Sequence, residues 1–383
     1  MSAVNQSVAK RVQAVIQRAI EQERIVGSVV LVAHDGELIC AETGGDADRE
    51  WRKPMRRATQ FRLASVSKPF ITLAAMRLLE QGKLQLDDAV SRWLPWFTPA
   101  LADGRIPPIT LRQLLTHSAG LDYRFKQLPS QPYHRLGIQD GLECASGTLQ
   151  QNLRRLADAP LIAEPGSTFN YSLSIDVLGA VLEQLADQPL PQLFEQLVAQ
   201  PLGLRATGFS SANADNLATA YYNGATRPEP MYDGLQLTLP PEFGYQIDFA
   251  PSRALDADAY PSGGAGMVGS ADDVLKMVEA MRHGAGGFLR AETVALMHQP
   301  HVSAAAETQG PGWGFGFGGA LLLDAALAAT PQRNGTLQWG GAYGHSWFCD
   351  QQAALSVVAL TNTAYEGMSG IYPGEIRDAV YRV

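Results

Sequence analysis

Phe61–Phe70 reads F-R-L-A-S-V-S-K-P-F, and it contains the pair Ser65 and Lys68 in a Ser-x-x-Lys spacing. Beyond it, Ile71–Gln81 (I-T-L-A-A-M-R-L-L-E-Q) has strong helix formers with apolar residues at helical spacing. The spacing predicts a helix with Ser65 at or near its start. Residues three apart share a helix face, so Lys68 can reach the Ser65 hydroxyl. A helix N-terminus carries unpaired N–H groups and partial positive charge, which favour an alkoxide or an oxyanion. Pro69 fits a first turn, where its missing N–H costs little. Two readings of the pair are open at this point: an activated nucleophile, or an N-cap serine beside a solvated lysine.

The chain has 383 residues, 46% of them hydrophobic and 18% charged, the composition of an ordinary globular protein, long enough for two regions around a shared core. A net charge of −8, with no basic run, argues against a nucleic-acid partner. Only six of the 30 basic residues are lysines, which makes Lys68 more notable. Cys40, Cys144 and Cys349 are odd in number and far apart, giving neither a disulfide framework nor a zinc pattern. No stretch is long and apolar enough to predict a membrane span. Ala9–Ile25 reads as an amphipathic helix with Val12, Val15, Ile16 and Ile20 on one face, not as an export leader. A cytoplasmic protein is expected.

Outward from the central stretch, Ser28–Ala33 and Glu37–Ala41 read as a hairpin turned by His34-Asp35-Gly36. Asp46–Arg57 reads as loop, and Gly82 ends the central helix. Leu111–Leu121 is a short helix running into a glycine turn, and its His117 is either a general base or a structural cap. Asp122–Gly147 is irregular and is expected to line a pocket with Tyr123 and Tyr133. Leu149–Ala157, Ile175–Ala186, Leu190–Ala199 and Asp272–Met281 have helical periods. Gly312–Ala320, Thr336–Gly340, Ser346–Asp350 and Leu355–Leu360 are expected to form one antiparallel sheet, with a closing helix over Ile376–Tyr381. This order predicts an α/β (α+β) sandwich built from both chain ends (1–75 and 255–383), with a mainly helical region (76–254) inserted and the active site between them.

A serine nucleophile needs a proton acceptor and donors for the oxyanion. There is no G-x-S-x-G, which argues against an α/β-hydrolase elbow. Two further stretches matter. In A-E-P-G-S-T-F-N-Y-S-L at Ala163–Leu173, Tyr171 stands where a Pro-Gly segment enters a helix. In L-Q-W-G-G-A-Y-G-H-S-W-F at Leu337–Phe348, two glycines follow a strand; they mark a β-bulge or a close backbone approach to a ligand.

Together, F-R-L-A-S-V-S-K-P, L-L-T-H-S-A-G-L (Leu114–Leu121), E-P-G-S-x-F-x-Y-S (Glu164–Ser172), Y-P-S-G-G-A-G-M (Tyr260–Met267), W-G-G-A-Y-G-H-S-W (Trp339–Trp347) and T-N-T-A-Y-E-G (Thr361–Gly367) resemble the penicillin-recognising serine hydrolases. Within them the likeness is to the class C β-lactamase-like esterases (family VIII carboxylesterases). It spans nearly the whole chain. The resemblance implies a β-lactamase/penicillin-binding-protein-like fold, with a central antiparallel sheet flanked by helices. It implies Ser65 as nucleophile, Lys68 and Tyr171 as its base and acid partners, and the backbone N–H groups of Ser65 and Ala342 as oxyanion hole. It implies no metal and no organic cofactor. Where β-lactamases have Lys-Thr-Gly, this chain has Trp339-Gly340-Gly341; where they have Tyr-x-Asn, it has Tyr171-Ser172-Leu173. The first change removes a cationic partner for a lactam carboxylate, and the second removes an amide contact. Both point to uncharged esters. Trp339, Gly340, Gly341, Tyr123, Phe125, Leu173 and Trp347 are the expected substrate-binding residues. Asp176, just past Tyr171, either orients a neighbour or forms an ordinary salt bridge. The expected activity is hydrolysis of short-chain acyl esters through an acyl-serine. The alternatives are an acyltransferase with the same site, weak β-lactamase or D-aminopeptidase activity, and a non-catalytic penicillin-binding sensor. The expected partner is a small-molecule ester, with neither nucleic acid nor membrane.

Overall fold

The computed structural model describes residues 3–241 and 243–381. Eight strands form one antiparallel sheet: β1 (Gly27–His34), β2 (Glu37–Asp48), β3 (Lys53–Pro54), β4 (Trp313–Phe315), β5 (Ala320–Leu322), β6 (Leu337–Gly341), β7 (His345–Asp350) and β8 (Leu355–Thr361). Their order across the sheet is β4-β5-β6-β7-β8-β1-β2-β3. The two ends of the chain therefore meet at the centre, where β1 pairs with β8 from Ser28–Thr361 to His34–Leu355.

The central strands are apolar on both faces because both faces are covered. Val30 and Val32 of β1, with Val357 and Ala359 of β8, meet Val12, Ile16 and Ile376 on one side. Those residues belong to α1 (Ala3–Glu21) and to a C-terminal helix, Tyr372–Tyr381. Val29 and Leu31, with Val358 and Leu360, face the large core on the other side. There lie α2 (Ser67–Glu80), α3 (Ser174–Ala186) and α4 (Ala271–His283). The period of two in β1 and β8 sorts alternate residues to two cores. Helix α2 has buried residues on nearly every side, from Ser67 to Leu78. An all-round apolar helix belongs between layers, and α2 lies between the sheet side and the helical region.

Several elements differ from the sequence expectations. The first helix stops at Glu21, not Ile25; Glu23 has a positive φ of 55° and Arg24 N–H returns to the Ala19 carbonyl at 2.9 Å. Asp46–Arg57 is not a loop throughout, since β2 extends to Asp48 and pairs with β3. Polar residues at a sheet edge have no hydrophobic alternation to announce a strand. Gly312–Ala320 is not one strand but a tight hairpin of β4 and β5. A further pair, Gln60–Arg62 with Val268–Ser270, is antiparallel and lies outside the large sheet; strands of three residues carry no alternation to announce them. Among the described residues, no helix is long and apolar enough to cross a membrane.

Candidate active site

The Gln60–Arg62 pairing carries the chain into Ser65. Leu63 N–H continues the ladder to the Met267 carbonyl at 2.8 Å. Ser65 then lies in a single 3-10 turn, Ala64–Val66, immediately ahead of α2. Ala64 has φ +46°, an unfavourable left-handed conformation for a residue with a Cβ, directly before Ser65. Ser67 ties the turn back by accepting the Met267 N–H at 3.1 Å through its hydroxyl. On the far side, β6 presses close. A Cβ at Gly341 would collide with the Leu63 carbonyl oxygen, so the second glycine of Trp339-Gly340-Gly341 is there for approach. His345 Nε2 meets the Arg62 carbonyl at 2.7 Å, and burial pushes its imidazole down to about 4. It is neutral at neutral pH, and that nitrogen is the donor.

Lys68 is buried in the first turn of α2. Its Nζ donates to Ser65 Oγ at 3.1 Å and to the Gly264 carbonyl at 2.7 Å. The amine also stands 4.6 Å from the centre of the Tyr171 ring and 5.5 Å from that of Tyr123. Tyr171 precedes α3, as the Pro-Gly segment predicted. Its hydroxyl accepts Trp339 Nε1–H at 3.2 Å, and its ring packs against Trp339 at 5.0 Å. Ser65, Lys68 and Tyr171 are thus brought together from two parts of the chain.

His117 is buried with φ +51°. Its Nδ1 accepts the Ser172 N–H at 3.3 Å, its carbonyl accepts the Asn170 N–H at 2.7 Å, and its ring packs 4.7 Å from Tyr171. Burial, and the charges of Lys68 and Lys126, keep it well below the usual histidine range. It holds the Asn170–Ser172 backbone and is a structural histidine.

A continuous cavity of about 1030 Å³ has Ser65 on its lining and runs on past β6 to Ile376 and Arg377 of the C-terminal helix. Ser65, Tyr171 and Ala342 border it, with Phe125, Trp339 and Gly340 among its walls. Other expected lining residues lie elsewhere. Tyr123 is buried behind Lys68, stacked on Phe125 at 4.7 Å. Tyr133 is buried too, and its hydroxyl accepts the Asp122 N–H at 2.8 Å, so it braces the loop from within. Leu173 is in the core at the start of α3, and Gly341 is covered by Leu63. Trp347 borders the cavity but is buried, paired across strands with Trp339. Asp176 makes no salt bridge among the described residues; its Oδ1 accepts Ser262 Oγ–H at 2.6 Å.

Sequence reasoning missed Phe169, Leu239 and Phe243, which add apolar wall, and Lys126, which reaches the Tyr171 carbonyl at 3.3 Å. It also passed over the Gly264 carbonyl. Phe169 stood inside a quoted motif and could have been found there. Phe243, in a stretch without period, offered no signal.

The Beta-lactamase family model matches residues 12–380. Esterase EstB of Burkholderia gladioli is 51% identical over 375 residues, 98% of this chain and 95% of its own. The solved structure of EstCE1, described as a hydrolase with promiscuous acyltransferase activity, superposes with a TM-score of 0.98 at 69% identity, over 99% of this chain and 100% of that one. The acyltransferase mokF of Monascus pilosus is 26% identical over 377 residues, covering 88% of this chain and 86% of its own. With the cleft between a β-lactamase-like sheet and its helices, this chain belongs to the beta-lactamase family, in the branch of its serine esterases.

Proposed function

We propose that the protein is a serine carboxylesterase for short-chain acyl esters. The observation that carries this reading is the buried Lys68 amine, 3.1 Å from Ser65 Oγ and against the face of Tyr171, at the floor of an apolar cleft. Ser65 Oγ attacks the ester carbonyl carbon as its proton passes to the Lys68–Tyr171 pair. The N–H groups of Ser65 and Ala342, which both border the cavity, receive the oxyanion. Collapse breaks the bond to the alkoxide oxygen, and Tyr171 returns the proton to the departing alcohol. Water then attacks the acyl-serine by the same steps in reverse order, giving the acid and free Ser65. Trp339 Nε1–H, bound to Tyr171 Oη, supports negative charge there during transfer.

The two-region division, 1–75 with 255–383 around 76–254, remains part of this reading; Ser65 and Ala342 come from one part, Tyr171 and Phe125 from the other.

Hydrolysis of p-nitrophenyl acetate and butyrate, beside a chromogenic cephalosporin, tests the proposal in wild type and Ser65→Ala. Fast ester turnover abolished by the substitution, with little lactam opening, is expected. Turnover that survives Ser65→Ala sinks it. A second reading, acyl transfer, is favoured by the apolar walls beside Ser65, with Phe125, Phe169 and Trp339 among them. A bulky alcohol held there competes with water for the acyl-serine. Ester formation outpacing hydrolysis when alcohol is added would select it.

A further inference from the structure

Asp176 is a fully buried carboxyl that the steps above do not use. It faces the turn Ser262–Gly266 across the start of α3. Its Oδ1 accepts Ser262 Oγ–H at 2.6 Å, and Ser262 Oγ in turn accepts the Ala265 N–H at 3.1 Å. Its Oδ2 lies against the Gly264 backbone, where a Cβ would collide with it. The carbonyl of that same Gly264 accepts Lys68 Nζ–H at 2.7 Å, shorter than the 3.1 Å bond from Lys68 to Ser65 Oγ.

Three of the five residues in this turn are glycines: Gly263, Gly264 and Gly266. Such a segment has wide backbone freedom and, apart from Ser262 and Ala265, no side chains to fix it. Its direction must come from groups around it. Close packing supplies part: a Cβ at Gly263 would meet the Ile175 carbonyl at 3.1 Å. Two side chains anchor the turn: Lys68 through the Gly264 carbonyl, and Asp176 through Ser262 Oγ–H; of the two, Asp176 lies outside the reacting set.

We propose that Asp176 is a positioning residue: by holding Ser262 it fixes the turn, aims the Gly264 carbonyl, and so sets where Lys68 stands relative to Ser65. This rests on the Ser65–Lys68–Tyr171 reading. The charged and titratable groups that face Asp176 are Lys68, Arg253, Tyr123 and Tyr260; those that face Lys68 are Tyr171, Tyr123, His117 and Asp176 itself. An asparagine can accept at only one of its two positions. Asp176→Asn therefore keeps the volume, loses one acceptor toward the turn, and removes a titratable carboxyl near Lys68.

The test measures kcat, KM and the pH profile for p-nitrophenyl acetate, with thermal melting, in Asp176→Asn, Ser262→Ala and the double variant. Misplacing a reacting group by a fraction of an ångström to one ångström costs up to about 10²-fold in rate. The expected result for Asp176→Asn is a kcat fall of about 10- to 100-fold with KM little changed. Its pH profile should change as well, since the substitution removes a titratable carboxyl, itself raised by burial, from beside the reacting groups. Ser262→Ala keeps the carboxylate and should lower kcat in the same direction. The double variant should be no worse than the worse single one, because the two residues act as one unit. Ser262→Ala decides the matter if Asp176→Asn does not fold. Folded variants with wild-type kcat and pH profile overturn the proposal. So does additive loss in the double variant. Turnover surviving Ser65→Ala would instead sink the underlying reading, which the serine variant reports separately.

Discussion

The floor and the rim of the cleft are built differently. The floor holds Lys68, Tyr123, His117, Asp176 and His345, all buried, with hydrogen bonds to Ser65, Gly264, Ser172, Ser262 and Arg62. The rim is Phe125, Phe169, Trp339 and Phe243, half-buried or exposed, and mostly apolar. Phe243 is half exposed, at 50%. Groups that must stand in one geometry are locked by packing and hydrogen bonds, since small displacement there is costly. Groups that only have to exclude water and cover a substrate are left as adaptable surface. Chemistry and selectivity should therefore respond to mutation on different scales.

The largest expected effect is on the floor. Lys68→Met keeps much of the length and volume but removes the amine, and kcat should fall by about 10³-fold or more with the protein still folded. Single-turnover release of p-nitrophenol checks it. A loss under about tenfold would mean the floor is not the catalytic part.

A second test sharpens what burial costs the floor. His345 in the unfolded chain titrates near 6.5, and in the folded protein it is pushed down to about 4. Above pH 6.5 both states are neutral and it contributes nothing. As pH falls, the unfolded chain takes the proton first, so stability is lost progressively, reaching about 3 kcal/mol by pH 4. His117, held low by burial, acts with the same sign. Asp140 and Asp176, raised by burial, act with the opposite sign, because the folded state protonates first. Urea midpoints from pH 7 to 4 should fall less steeply for His345→Gln than for wild type. Parallel curves would refute the assignment.

Trp339 belongs to both regions, since its ring is rim and its N–H reaches the floor. Trp339→Phe keeps most of the wall and removes the donor, and kcat should drop about tenfold with KM nearly constant. A pure KM change would assign it to the rim alone. Phe243→Ser should have the smallest effect: a threefold or so rise in KM for butyrate, on the order of 1 kcal/mol of lost apolar contact or less, and no change in kcat. A large kcat loss there would erase the distinction between floor and rim.

Much of this was legible from residues close in sequence. The Ser65–Lys68 spacing, the helix over 71–80 and the β1–β2 hairpin follow from local periodicity and turn chemistry, which act within a few residues. The motifs around Tyr171 and Trp339-Gly340-Gly341 marked the other two walls. The β2–β3 edge, the split of 312–322 into a hairpin, and the pairing of Gln60–Arg62 with Val268–Ser270 were not legible. Short or polar strands carry too few alternating residues to register.

The amino-acid sequence by itself determined which chemistry was possible: a serine, a scarce lysine and a tyrosine entering a helix, with glycines where backbones must approach. Only the tertiary structure decided which carbonyl holds the lysine, which histidines are merely buried braces, and which aromatic rings face the cleft. Tyr123 and Leu173 were placed in the core, and Phe169 and Phe243 at the opening. The reason is physical. Local propensity depends on neighbours along the chain, whereas side-chain burial and the partner of a polar group depend on segments 50 to 200 residues away, as in Ser172 to His117 or Gly264 to Lys68.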